Sequence, residues 1–223
     1  MNIETRQLVS GAAGAKGIVV LIDVLRACTT VPILFHNGAT EIVPVETPEE
    51  AVPYEKQGYI PVGEAEHGFD HQVFHHNNSP TEVLPVNFSG KKIVLRSNNT
   101  TPAIYLAKDA SDIVLGSFVN VGAIVKYIRD HHLDVVSLVA LGRLGGPGIE
   151  DDLCARVITH ELRGEAYDYD AIVREVIDCP TAVLVRDKLN RPDDVTMAVA
   201  LDSYPIVPRV IRNEDQLLIR AVS

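Results

Sequence analysis

The feature that most constrains the fold is an apolar run that ends in charged and hydroxyl-bearing residues. Ile18–Ile22 contains no polar side chain, and Asp23, Arg26, Thr29 and Thr30 follow it. A short aliphatic run that ends this way is typical of a buried parallel strand that leads into a helix. Small ligands bind at the carboxyl ends of such strands, so this stretch predicts an α/β fold and a site together.

Two interpretations of this segment remain open from its residues alone. Asp23 is suited to hold a hard cation, and Arg26 with the threonine hydroxyls is suited to hold an anion such as phosphate. Alternatively, Asp23 caps the following helix and forms an ion pair with Arg26, in which case neither residue contacts a ligand.

Composition limits the classes of protein to which the chain can belong. The 223 residues are 46% hydrophobic, enough for one large unit over 1–223, with two lobes dividing near residue 165 as the alternative. The net charge of −10 argues against nucleic acid or an anionic membrane as a partner. No apolar run approaches the roughly 20 residues of a membrane span. Cys28, Cys154 and Cys179 lack metal-type pairing, which indicates reduced thiols of a cytoplasmic protein.

Strands and helices alternate through most of the chain, which predicts a three-layer α/β/α fold with a mostly parallel or a mixed sheet. A polar loop is expected over Ala65–Pro80, and the part after Tyr167 is less regular, with two or three helices and two final strands. The predicted strands are Ile18–Asp23, Glu41–Val45, Tyr59–Val62, Lys92–Leu95, Asp112–Leu115, Val135–Leu141, Ile206–Val210 and Gln216–Arg220. The predicted helices are Arg26–Asn37, one from Pro48 that stops at Gly58, Pro102–Lys108, Val119–His131 and Ile149–Arg163.

Polar side chains follow several of the predicted strands. Because the carboxyl ends of parallel strands share one edge of a sheet, these side chains are expected to converge on one site. They are Asp23, Glu64, Ser97 with Asn98 and Asn99, Ser117 with Asn120, and Glu150 with Asp151 after a glycine-rich loop.

The common sequence signatures of phosphate chemistry are missing. There is no P-loop and no dinucleotide-binding glycine motif, and no cysteine has the arginine spacing of cysteine-dependent phosphatases. Leu25 stands where a haloacid dehalogenase-type enzyme needs its second aspartate. Four histidines of the polar loop are expected to be solvated rather than to bind metal: His67, His71, His75 and His76.

Six segments occur in the order and at the spacing of one family. They are Asp23–Thr30, Gly63-Glu64, Asn78–Pro80, Ser97–Thr101, Gly116–Asn120 and Glu150–Ala155. Together they resemble the 2-phosphosulfolactate phosphatase (ComB-like) family over nearly the whole chain. That resemblance implies a magnesium-dependent acid phosphatase that converts 2-phosphosulfolactate to sulfolactate and phosphate, on the path to coenzyme M. It also implies a homo-oligomer.

The resemblance assigns candidate roles to the residues of these segments. Asp23, Glu64, Glu150 and Asp151 would hold Mg²⁺, and Asp23, Arg26, Glu150 and Asp151 would be catalytic. Residues expected to bind a small anionic phosphorylated substrate are Thr29, Thr30, Asn78, Ser79, Ser97, Asn99, Ser117, Asn120 and Arg143. The residues alone leave other interpretations open: Glu150 and Asp151 can be first-turn acids of a helix, and Ser117 with Asn120 can be a helix cap. Direct hydrolysis and a covalent intermediate also remain open.

The chain departs from the family pattern at several positions, among them His75-His76-Asn77, where the family tends to show Asp-Leu-Gly. Ala65 and Pro102 stand where the family has arginines, and Thr100 stands where it has a glycine. Fewer arginines weaken recognition of a substrate with several anionic groups. Two alternatives therefore stay open: the same fold acting on a different phosphorylated substrate, or a non-catalytic protein that binds small anions.

Overall fold

The computed structural model describes residues 1–65, 70–132, 134–143, 146–213 and 216–222, with no account of the side chains of 70 and 71. Its strands are β1 Asn2–Gln7, β2 Ile18–Ile22, β3 Glu41–Val45, β4 Ile60–Gly63, β5 His76–Asn77, β6 Lys92–Arg96, β7 Asp112–Gly116, β8 Val135–Ala140, β9 Val207–Arg212 and β10 Leu217–Val222. Its α-helices are α1 Ala27–His36, α2 Pro48–Lys56, α3 Asp70–Val73, α4 Pro80–Val83, α5 Thr100–Leu106, α6 Val121–His131, α7 Ile149–Arg163, α8 Tyr169–Asp178, α9 Pro180–Val183 and α10 Pro192–Ala198.

One ten-stranded sheet runs through the molecule in the order β1-β8-β2-β7-β9-β10-β3-β6-β4-β5. The first half, β1-β8-β2-β7, is parallel within itself, as is the second half, β3-β6-β4-β5. The antiparallel pair β9 and β10 lies between them and pairs antiparallel with both β7 and β3. The two halves therefore run in opposite directions, and the sheet is mixed.

The sheet curls around two of its helices. One continuous core contains Leu21 of β2 and Leu95 of β6, from the two halves, together with Leu34 of α1 and Ile104 of α5. All four side chains are fully buried. Helices α1 and α5 therefore lie on the concave face, enclosed by strands of both halves.

The opposite face of the sheet is covered by separate groups of helices. Helices α6, α7 and α8 pack on the first half through Ile124, Val157 and Ile172, and α2 packs on the second half through Ala51. Helices on both faces of one sheet confirm the predicted three-layer α/β/α fold. No helix in the described residues is both long enough and apolar enough to cross a membrane.

The elements predicted between residues 18 and 163 are present, with bounds shifted by at most two residues. Three features were not predicted. The polar N-terminal segment forms the edge strand β1, and the expected loop Ala65–Pro80 contains α3 and β5. The two last strands lie in the middle of the sheet. Strand β1 is only half-buried, so it lacks the apolar run that identifies the central strands.

Candidate active site

Asp23 lies at the exit of β2, where the chain turns into α1, and is almost fully buried. Its Oδ2 accepts a hydrogen bond of 2.8 Å from the hydroxyl of Thr100, the first residue of α5. The contact joins strand exits from opposite halves of the sheet, which the curl brings together. Burial, with the nearby charges of Glu64 and Glu150, raises the pKa of Asp23 to about 7.

Asp151 fixes two loops at the ends of neighbouring strands. Its Oδ1 accepts from the main-chain N–H of Val24 at 2.8 Å and its Oδ2 from that of Gly142 at 2.9 Å. These residues follow β2 and β8. Burial, with the charges of Glu150 and Asp23, raises the pKa of Asp151 well above its usual value. The carboxylate at the start of α7 thus does more than interact with the helix dipole.

Glu150 and Glu64 approach Asp23 from different elements. Glu150 is buried on α7, and its Oε2 accepts from the thiol of Cys179 at 3.4 Å. Burial raises the pKa of this thiol to about 11, so it remains a neutral donor. Glu64 follows β4 and accepts from Asn78 Nδ2 and from the main-chain N–H of Asn98, each at 3.0 Å.

Arg26 is paired with an acid that the sequence did not point to. Its guanidinium donates to Asp194 Oδ2 on α10 at 3.0 Å and to Asn77 Oδ1 at 3.0 Å. Asp194 is fully buried and also accepts from the hydroxyls of Ser79 and Thr81 and from the N–H of Thr81. The alternative pairing of Arg26 with Asp23 is therefore not what the structure contains.

A cleft with a volume of about 180 Å³ opens beside these residues. Its polar lining is Arg26, Glu64, Asn77, Asn98, Asn99 and Arg143, and its apolar lining is Leu25, Ala65, Leu184, Val185 and Leu189. Asn99 donates to the carbonyl of Gly142 at 2.9 Å, which ties the α5 turn to the loop carrying Arg143. Asp23, Glu150 and Asp151 are not among the lining residues, and Glu64 is the lining carboxylate whose charge acts on Asp23.

Several predicted substrate-binding residues make main-chain contacts instead of lining the cleft. Thr29 and Thr30 donate to the carbonyls of Val24 and Arg26. The hydroxyl of Ser97 accepts from the N–H groups of Thr100 and Thr101 and so caps α5.

Ser117 and Asn120 are also buried away from the cleft. The N–H of Ser117 donates to Asn120 Oδ1 at 2.9 Å, and Asn120 Nδ2 donates to the carbonyls of Leu115 and Ile206. This is the helix-capping arrangement that the residues alone left open. A role in substrate binding for these two remains a prediction.

Comparison with known proteins gives one consistent result. The family model described as 2-phosphosulpholactate phosphatase matches residues 3–213. The chain belongs to this family. A protein of Caldanaerobacter subterraneus subsp. tengcongensis, named a probable 2-phosphosulfolactate phosphatase, is 27% identical over 86% of this chain and 87% of its own. A protein of the same name from Thermotoga maritima is 36% identical over 65% of this chain and 62% of its own. Another, from Gloeobacter violaceus, is 29% identical over 88% of this chain and 89% of its own. The expected family and its class, phosphoric monoester hydrolases, are confirmed.

The donor set of this family member suits the divalent cation that the resemblance implies. Asp23, Glu150 and Asp151 are at most 3% exposed, and the strongest influences on the pKa of Asp23 include no positively charged side chain. Within the described residues, no three acidic, histidine or cysteine side chains already form a metal-binding group. Mg²⁺ usually contacts one or two carboxylates and completes its shell with water and substrate phosphate. Asp23 with either Glu150 or Glu64 would supply those carboxylates, since the charges of both neighbours act on Asp23.

Sequence reasoning missed Asp194 and Asn77 and gave no role to Thr100 beyond its departure from the family pattern. Thr100 had a usable signal, since it follows a strand exit beside residues already singled out. No sequence signal pointed to Asp194, because it lies 168 residues from Arg26 in the less regular part of the chain. His67 lies outside the described residues, and His75 is half-exposed and contacts Glu55.

Proposed function

We propose that this chain is a magnesium-dependent phosphatase acting on a small phosphorylated 2-hydroxy acid, the class that includes 2-phosphosulfolactate. One observation carries the proposal: buried Asp23 and Asp151 form no ion pair with a described residue, and Glu64, whose charge acts on Asp23, lines a small polar cleft that contains two arginines. Such a centre favours a divalent cation and a phosphate together, since each neutralises the charge of the other. Membership of the phosphatase family supports the same conclusion.

The cleft residues have distinct parts in holding the substrate. A guanidinium has five N–H donors, and Arg26 uses one toward Asp194 and one toward Asn77. Three donors therefore remain for the equatorial phosphoryl oxygens, which carry the charge of the transition state. Arg143 is the cation available for the acid group of the substrate.

The reaction replaces the ester oxygen on phosphorus with an oxygen from water, and the leaving alkoxide takes up a proton. In the direct route a carboxylate of this centre that does not itself hold Mg²⁺ would accept a proton from water, and Asp23 and Glu150 are the candidates. In the alternative route, Asp23 attacks phosphorus and water cleaves the resulting acyl phosphate. A bound Mg²⁺ would polarise a phosphoryl oxygen in either route.

The two routes differ in whether a phosphoryl group is ever bound to Asp23. Turnover of a ³²P-labelled substrate that is quenched rapidly in acid leaves label on the protein only in the covalent route. Mass spectrometry of the quenched protein would then find the acyl phosphate on the peptide that contains Asp23, and its absence would favour direct attack by water.

Metal dependence is tested by phosphate release from 2-phosphosulfolactate and from glycerol 2-phosphate, with Mg²⁺ and with a chelator. We expect release with Mg²⁺, its loss on chelation and its return when Mg²⁺ is restored. Full activity in chelator would remove the metal from the proposal. Binding of inorganic phosphate without any turnover would favour the non-catalytic anion binder.

A second candidate keeps the phosphatase chemistry and changes the substrate. Ala65 lines the cleft at a position where the family resemblance leads one to expect an arginine. A panel of phosphorylated acids, compared by kcat/KM, separates this candidate from the first.

The cellular location and the oligomeric state of the protein are also proposals. We propose that the protein is cytoplasmic, because all three cysteines are free and buried. We also propose that it forms a homo-oligomer, on the basis of the family resemblance. Light scattering coupled to gel filtration measures the oligomeric state; a single monomeric mass would exclude the oligomer.

A further inference from the structure

The lining of the cleft is chemically mixed. Beside Arg26, Arg143 and the asparagines it contains Leu25, Leu184, Val185 and Leu189, here named the apolar wall. Leu25 packs against the cluster that contains Val185, whereas Ala65 packs with a separate apolar cluster. Leu184 and Val185 lie in a short π-helix, Leu184–Lys188, that follows α9, and Leu189 comes directly after it. A substrate composed only of charged groups has no use for such a wall, because burying charge against it costs solvation.

The apolar wall is held in place and partly open to solvent. The N–H of Leu189 donates to the carbonyl of Leu184 at 3.0 Å. Beyond it, Arg191 forms an ion pair of 2.6 Å with Glu82. Leu189 nevertheless remains 45% exposed. An exposed leucine alone is ordinary, but one that continues the lining of a binding cleft marks apolar surface available to a ligand.

The cleft has few positive charges for additional anionic groups. Among the described lining residues, the cations are Arg26 and Arg143. The charge of Arg26 is compensated by buried Asp194, and Glu64 adds a negative charge to the lining. Arg143 forms no ion pair with a described residue. The segments 66–69 and 144–145, which the structure does not describe, contain no Lys or Arg in the sequence.

We infer that the preferred substrate is a phosphorylated 2-hydroxy acid whose remaining substituent is an alkyl group, not a second strong acid such as a sulfonate. The inference rests on the proposed phosphatase function and specifies its substrate. The phosphate lies toward Arg26 and the carboxylates of the centre, the substrate carboxylate toward Arg143, and the alkyl group against the apolar wall. Leu184, Val185 and Leu189 are the residues that determine this specificity.

Steady-state kinetics with Mg²⁺ on four substrates tests the inference: 2-phospholactate, its homologue with an isobutyl side chain, 2-phosphosulfolactate and glycerol 2-phosphate. We expect kcat/KM for the isobutyl substrate to exceed that for 2-phosphosulfolactate by about tenfold or more, the range that a hydrophobic contact supplies. A ratio of one or less would overturn the inference and leave the phosphatase function standing. No phosphate release from any of the four would overturn the function itself.

Substitutions on the apolar wall test whether these residues determine the preference for an alkyl group over a sulfonate. Leu189→Ser is expected to lower the ratio of kcat/KM between the isobutyl and sulfonate substrates about tenfold. Leu189→Arg should lower it further, because it adds a cation for the sulfonate. Leu201→Ser, at a leucine of similar exposure, 37%, that does not line the cleft, serves as the matched control. An unchanged ratio in both Leu189 variants would remove the apolar wall from substrate recognition.

Discussion

Two buried aspartates at this site have opposite surroundings. Asp194 is paired with Arg26 and accepts three further hydrogen bonds from Ser79 and Thr81. Asp23, buried almost as deeply, faces Glu64 and Glu150 instead of a cation. A buried charge that is fully compensated maintains structure, whereas one left among like charges is reserved for a cation or for proton transfer. The comparison thus distinguishes an acid that stabilises the fold from the acid to which we assign the proposed chemistry.

The largest expected effect comes from removing the compensated acid. Asp194→Ala leaves the Arg26 guanidinium buried without its partner, so the free energy of unfolding should fall by about 3–5 kcal/mol. Denaturant unfolding measures it. Asp193→Ala, at the exposed neighbouring acid, is the control, with an expected change of about 0.5 kcal/mol. Similar losses in the two variants would mean that Asp194 does not hold this part of the fold together.

Replacing Asp23 in the metal-free protein should raise the free energy of unfolding, whereas replacing Asp194 should lower it. Its pKa is about 7 in the folded state against 3.8 for an unperturbed Asp. The folded state therefore binds more protons between these values, and stability falls as pH rises through them. Asp23→Asn removes this loss and should raise the free energy of unfolding at pH 8 by roughly 2–4 kcal/mol.

Near pH 4 the wild type and Asp23→Asn should be almost equally stable, because Asp23 is then protonated in the folded protein. Denaturant unfolding in chelator at both pH values measures the difference. An Asn variant that is less stable than wild type at pH 8 would place Asp23 with Asp194 among the structural acids.

The same substitution should also weaken the proposed chemistry. We expect Asp23→Asn to lower Mg²⁺ affinity and phosphatase activity together, each by about a hundredfold or roughly 2.7 kcal/mol, while circular dichroism stays unchanged. Calorimetric titration of Mg²⁺ into both proteins measures affinity. Equal affinities would exclude Asp23 from the metal ligands.

The smallest effect concerns Arg143, which, unlike Arg26, forms no ion pair with a described residue. Arg143→Ala should raise KM about tenfold, roughly 1.4 kcal/mol, for a phosphorylated carboxylic acid, because the acid group loses its charged donor. For glycerol 2-phosphate, which lacks that group, KM should change little. Equal changes for both substrates would show that Arg143 does not recognise the acid group.

Much of the fold could be predicted, because the residue patterns that identify each strand and helix lie within or next to that element. Helix α7 was predicted with its bounds, Ile149–Arg163, since a glycine-rich loop separates it from the strand before it. Asp23, Glu64, Ser97 and Asn99 were predicted to converge because each follows a strand.

The remaining features depend on contacts between distant parts of the chain. The prediction of a shared sheet edge assumed strands that all run the same way, but Asp23 and Thr100 follow strands of opposite halves. They meet because the sheet curls around α1 and α5, which no local pattern encodes. The pairing of Arg26 with Asp194 likewise joins distant parts of the chain and has no local sequence signal.

The position of β9 and β10 between the two halves also has a consequence for the order in which the protein assembles. These strands, over 207–222, are translated after every other strand of the sheet. On the ribosome, β7 and β3 have no partner on their facing edges until that point, so the concave core cannot close. Contacts over such long sequence separations slow folding. The centre that brings Asp23 beside Thr100 is therefore expected to mature late, after synthesis of these two strands.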